Sequence, residues 1–158
     1  MRKEFILVII LAIIIVVLLA VLIFVSPINT ETPPVVGGNS SIVIISLNGE
    51  ATAGEISLPL KILGYVTGKD GWSGFEGQVG TVDLISEGGQ KVGGGILKAT
   101  SDWTFLPVYF EADVQTSVKC GGDSKCIFSG NAIFVFHNEN PSGDSAKDKT
   151  FVLPVRIK

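Results

Sequence analysis

Histidine occurs once and cysteine twice in 158 residues. Nucleophilic catalysis of the Ser-His-Asp or Cys-His kind needs a His base. His137, the only one, closes an apolar strand ahead of Asn138-Glu139-Asn140 and reads as an exposed strand-end residue. Two thiolates would make half of a zinc site, which one imidazole cannot complete. Basic charge is scarce as well. Beyond residue 25 the chain carries 10 Lys/Arg against 14 Asp/Glu, a net −4, which excludes a basic nucleic-acid-binding domain. No phosphate-binding motif is present. Residues 64–70 read GYVTGKD, without the P-loop spacing or its Ser/Thr, and the glycine-rich stretch 88–95 opens no helix. No cofactor and no nucleic-acid partner are expected.

What the chain does hold is one long apolar run. Residues 5–25 are 21 consecutive apolar residues with no charge, hydroxyl, Gly or Pro. At 1.5 Å per residue they make about 31 Å of helix, the thickness of a bilayer core, where a backbone must satisfy its own hydrogen bonds. Arg2 and Lys3 precede the run, and Glu31 is the first charge after it. That asymmetry predicts a cytoplasmic stub (1–4), a transmembrane helix (5–25) with the lipid bilayer as its partner, and an extracytoplasmic remainder. A cleaved signal peptide would have a shorter apolar region ending in small residues, but this run ends Leu22-Ile23-Phe24-Val25. A type IV pilin would carry a Gly or Ala before Phe5 and a Glu within the run; Glu4 precedes Phe5 and the run has no acid.

Residues 26–41, SPINTETPPVVGGNSS, read as a flexible Pro/Gly/Ser linker, and Asn39-Ser40-Ser41 fits a glycosylation sequon. Cys120 and Cys126 bracket Gly121-Gly122. Outside the membrane an even cysteine count predicts a disulfide pinning this turn, with free thiols as the alternative.

From residue 42 to 158 the pattern has period two, broken every 8–15 residues by Gly, Pro, Asn or Asp. Val108, Phe110, Ala112 and Val114 point one way while Tyr109, Glu111, Asp113 and Gln115 point the other. Phe151, Leu153, Val155 and Ile157 repeat the pattern, with Arg156 and Lys158 outward. Further runs lie at 42–47, 60–67, 79–86, 91–99 and 127–137. Ile133-Phe134-Val135-Phe136 is apolar on both faces, as for a central strand, and Pro154 marks an edge or a later strand start. About seven short strands without an amphipathic helix predict an all-β domain, an antiparallel β-sandwich of immunoglobulin type.

Leu58-Pro59-Leu60 followed by Gly64 resembles the opening of the immunoglobulin-like domain found in bacterial spore-germination proteins. Phe75-Glu76-Gly77 resembles that family's aromatic-Glu-Gly step into its next strand. Trp103 with Phe105 falls at its central aromatic segment. Asn140-Pro141-Ser142-Gly143 and Pro154-Val155-x-Ile157 resemble its closing loop and last strand. The resemblance spans residues 42–158 and implies a sandwich fold and a bacterial cell-envelope setting. The segment holding Cys120 and Cys126 and the glycine-rich 88–95 stretch depart from it.

Acid pairs such as Glu111 with Asp113, or Glu76 with Asp83, would serve glycoside hydrolysis only across a cleft. On outward strand faces they are ordinary surface charge. Asn138-x-Asn140-x-Ser142 matches the first half of a calcium loop, but Lys149 stands where the closing Glu belongs, so no metal is expected. Two loops hold side chains suited to recognition. One is 71–77, with Trp72, Phe75 and Glu76, where Trp72 reads equally as a core side chain; the other is 138–148, with Asn140, Ser142 and Asp144. Glu76 has a structural alternative, accepting backbone N–H groups to fix its turn. The expected function is a membrane-anchored, extracytoplasmic binding module for an envelope protein or glycan. A cell-wall-modifying hydrolase and a pilus-like structural subunit are the rivals.

Overall fold

Alternation of buried and exposed side chains organises nine strands among the described residues: β1 (Gly37–Gly38), β2 (Ile42–Leu47), β3 (Glu55–Ile56), β4 (Leu60–Val66), β5 (Gln78–Ser86), β6 (Lys91–Ala99), β7 (Val108–Thr116), β8 (Gly130–Asn138) and β9 (Thr150–Ile157). A computed structural model describes residues 35–49, 55–116 and 128–158. The expected stub and transmembrane helix, the first part of the linker, and the Cys120–Cys126 disulfide lie outside the described residues. Among the described residues no helix is long and apolar enough to cross a membrane.

The chain is all-β. Each of the seven runs read from the sequence overlaps one of the long strands, and β2 and β6 have the expected bounds. Val108, Phe110, Ala112 and Val114 of β7 are buried, as are Leu153, Val155 and Ile157 of β9. Together with Ile42, Ile44, Ile62, Leu84, Phe134 and Phe136 they form one core. The apolar β8 lies between β5 and β9, as its two-faced pattern requires. Pro154 sits inside β9, opposite Ile133. On the other side of β9, β3 pairs only Arg156 and Ile157, in parallel, so the proline withholds no N–H from that ladder.

The strands form one sheet in the order β1-β2-β4-β7-β6-β5-β8-β9-β3, antiparallel except for the β3–β9 pair. It curls until β1 meets β9: a Cβ on Gly37 would stand 2.8 Å from Leu153 Cδ1. The turn is made at β6, which pairs β5 along most of its length but β7 only near Gly93–Gly94 and Lys98–Ala99. Gly93 and Gly95 permit it, since a Cβ on either would lie 2.6 Å from a β7 carbonyl oxygen. The expected linker is corrected on its domain side. Gly37 and Gly38 pair with Ile44 and Val43, and Asn39 Oδ1 accepts the N–H groups of Ser41 and Ile42, so these residues belong to the sheet.

Candidate functional site

Strand direction gathers four connections at one end of the sheet: the 39–41 turn, the β4–β5 loop (67–77), the β6–β7 loop (100–107) and the β8–β9 loop (139–149). Two of these contain the residues singled out from the sequence. They form the walls of a polar cleft of about 330 Å³ lined by Asp70, Gly71 and Ser73 on one side and Asn138, Asn140, Ser142 and Lys149 on the other.

The β8–β9 loop is braced from within. Asn140 Nδ2 donates to Asp144 O (2.8 Å) and Asp148 Oδ1 (2.6 Å), while Ser142 Oγ donates to Asn140 Oδ1 at 2.7 Å. Asn138 Oδ1 accepts from Lys149 N at 2.7 Å, closing the loop at its base. Asp144 caps the short 3-10 turn Ser145–Lys147 by accepting from Ala146 N, and it does not line the cleft. The side chains that resemble half a calcium loop are therefore used to hold backbone.

The opposite wall is pinned through Asp70. Its Oδ2 accepts from Ser41 Oγ (2.8 Å) and Ser40 Oγ (3.2 Å), and Thr67 Oγ1 donates to Ser40 O at 2.6 Å. Hydrogen bonds from Ser41 and then Ser40 hold the Asp70 carboxyl below the usual carboxylate range. Asp70 adopts a left-handed backbone (φ 55°), strain kept in place by these bonds. A depressed carboxylate stabilises the folded state above its unfolded pKa and loses that effect as pH falls through the folded value. The Ser41 and Ser40 ties to Asp70 should therefore persist through the ordinary carboxylate range and loosen as pH falls below it. Amide exchange at residues 39–42, corrected for intrinsic rates, should rise over that window, and Asp70→Asn should show the fast exchange throughout.

The 71–77 loop divides its three candidates. Trp72 is 1% exposed; it leaves the 3-10 turn Lys69–Gly71 in extended conformation, enters the core and donates Nε1–H to Val79 O at 2.9 Å. Of its two readings, contact surface and core, the contact surface is corrected and the core holds: a side chain this large gains more from the core than from water, and its N–H finds a partner there. Phe75 and Glu76 stay outside. Among the described residues the Glu76 carboxylate has no hydrogen-bond partner within its turn. Backbone bonds fix that turn: Phe75 N–H to Gln78 O (2.7 Å) and Gln78 N–H to Phe75 O (2.9 Å) close it around Glu76 at φ 48° and Gly77 at φ 82°. Phe75 meets Trp103 of the β6–β7 loop edge-on, with ring centroids 6.3 Å apart.

Sequence reasoning passed over Asp70, Ser73 and Lys149 in the cleft, because nothing local links residues some 70 positions apart. It also assigned no contact role to Trp103, Phe105 and Leu106. Their signal was present as three large apolar residues in a connection rather than a strand. A wider groove of about 760 Å³ lies at the other end of the sheet, between Ile85, Ile133 and Pro154. Its rim charges Glu55 and Arg156 already pair at 3.5 Å, and it is built mostly on strands. The loop cleft, with Ser73 and Lys149 facing it from two connections, is the better candidate. His137 and Lys91 flank Asp83 on the strands, at 4.0 Å and 2.6 Å, and neither lines the cleft. No protein-family model, curated protein or solved structure matches this chain.

Proposed function

We propose that this protein is a membrane-anchored, extracytoplasmic immunoglobulin-like module that captures an envelope protein or glycan through the loops at one end of its sheet. The observation that carries the reading is the cleft itself, formed where the β4–β5 and β8–β9 loops meet. Loops on a rigid sheet are where recognition is commonly built. Bracing within the β8–β9 loop favours this use, because a wall ordered beforehand loses less entropy on binding.

Strand order supports the immunoglobulin-like part. With the two-residue strands set aside, β2 and β4 to β9 taken in sequence as A to G lie in the order A-B-E-D-C-F-G. That order matches the A-B-E-D and C-F-G sheets expected of such a fold, with the β5–β6 hairpin as the join. The resemblance to the spore-germination domain stands on the same footing and supplies the envelope setting. Membrane anchorage rests on the length and flanks of residues 5–25.

Filling the cleft tests the proposal. Ser73→Trp places a large ring between the walls without touching the core. Pull-down from detergent-solubilised envelope with the full chain should lose its partner at least about tenfold, as for the loss of one well-packed anchor. The melting temperature should not change. Undiminished recovery with Ser73→Trp would remove the cleft from the function.

A further inference from the structure

The walls of the cleft use their carboxylates to hold the protein together and leave their ammonium groups free. Asp70 accepts from Ser41 and Ser40, Asp144 accepts from Ala146 N, and Asp148 Oδ1 accepts from Asn140 Nδ2 at 2.6 Å. Lys147 and Lys149 take part in this bracing only through backbone. Lys147 O accepts from Asn138 Nδ2 at 3.1 Å, and Lys149 N donates to Asn138 Oδ1 at 2.7 Å. Both residues line the cleft, and among the described residues neither side chain makes an ion pair. The strand cations Lys61, Lys91 and Arg156, by contrast, are all paired. After the Ser41 and Ser40 hydrogen bonds, Lys149 adds to the lowering of the Asp70 pKa, so its charge acts across the cleft without closing it. Glu139 is the one carboxylate of the lining that takes no hydrogen bond among the described residues.

These open groups define what fits. Two ammonium groups two positions apart on one loop suit an anion whose oxygens take charge-assisted hydrogen bonds from both. An ionised Glu139 can only accept, so the same ligand needs hydroxyl donors close to its anionic group. Apart from Pro141 and Ala146 the lining holds no apolar side chain. The large apolar anchor by which a peptide is usually held therefore has no pocket here. About 330 Å³ lies at the small end of ligand sites. The charges of Asp70, Glu139, Lys147 and Lys149 cancel, so long-range attraction contributes little and direct contact decides.

The geometry points to a carboxylated saccharide, a sugar acid of the uronate kind, as the ligand of this cleft. Its carboxylate lies against Lys147 and Lys149, and its ring hydroxyls donate to Glu139 and accept from Ser73. This rests on the reading of the cleft as the capture site, and within that reading it selects a glycan over a protein.

Galacturonate and galactose are the probes, since they differ only in a carboxylate or a hydroxymethyl group on the same ring. Each is titrated into the isotope-labelled full chain in detergent micelles and followed by amide chemical shifts. Galacturonate should shift amides of residues 70–73 and 138–149. Galactose should bind about tenfold or more weakly, the effect of losing one hydrogen bond to a charged group. Lys147→Gln with Lys149→Gln should bring galacturonate down to the galactose affinity with the melting temperature unchanged, because neither side chain braces the loop. Equal affinity for the two sugars would overturn the inference. So would galacturonate that shifts none of these amides, or binding that survives loss of both lysines. Each of those results leaves the capture site itself standing, because that reading is decided by Ser73→Trp in the pull-down.

Discussion

Trp72→Ala is expected to destabilise the β-domain by about 3–5 kcal/mol, the range for removing a large aromatic from a packed core. The ring is among the largest fully buried side chains, and the truncation also leaves the Val79 carbonyl without the indole N–H that it accepts at 2.9 Å. An unpartnered buried carbonyl alone costs about 1–3 kcal/mol. Small domains hold only about 5–15 kcal/mol in total, so the variant should melt far below the parent or fail to accumulate. Trp72→Phe separates the two contributions, keeping much of the volume and losing the hydrogen bond. Chemical denaturation followed by circular dichroism measures both. An Ala variant with the parent's midpoint would mean that the ring contributes nothing to the core.

Gly80→Ala is the second large effect, about 3 kcal/mol or more, although it adds a single methyl group. Gly80 has φ 139°, which side chains with a Cβ rarely adopt, and its new Cβ would fall 1.9 Å from His137 O. The obstacle is backbone of the paired strand, so no side chain can rotate away. Either β5 shifts, or the Gly80–Asn138 end of its ladder with β8 opens. Gly89→Ala is the control: φ there is 78°, yet nothing lies within 4 Å of the added atom. That variant should lose only about 1–2 kcal/mol, the cost of a left-handed backbone. Similar losses at the two sites would show that conformation, and not the approach of β8, sets the cost at Gly80.

Both variants bear on the candidate site. β8 leads directly into the loop that carries Asn140 and Ser142, and Trp72 anchors the loop that carries Ser73. Loss of capture in either variant would therefore report unfolding. Recognition is separated from folding only by changes on the exposed walls, which is why Ser73→Trp is the informative substitution.

The strands were legible in the sequence because their signal is local. Residues two apart on a strand share a face, so the alternation through Val108, Phe110, Ala112 and Val114 states which side chains enter a core without saying what they meet there. The same holds for Leu153, Val155 and Ile157, and for the two-faced apolar run in β8. The 138–148 loop was legible as a rigid turn, since Asn140, Pro141 and Gly143 carry their geometry with them.

What the sequence by itself determined was the all-β class and the inward face of each strand. Tertiary structure alone decided that Trp72 turns into the core while Phe75, three residues later, turns out to meet Trp103. A turn has no period, so an aromatic within it goes wherever the curled sheet leaves space and a carbonyl acceptor. Strand order alone decided that Asp70 and Ser73 face Asn140 and Lys149, because that contact depends on β5 pairing with β8. Non-local pairing of this kind is set by closure of the whole sheet, and no stretch of neighbouring residues encodes it.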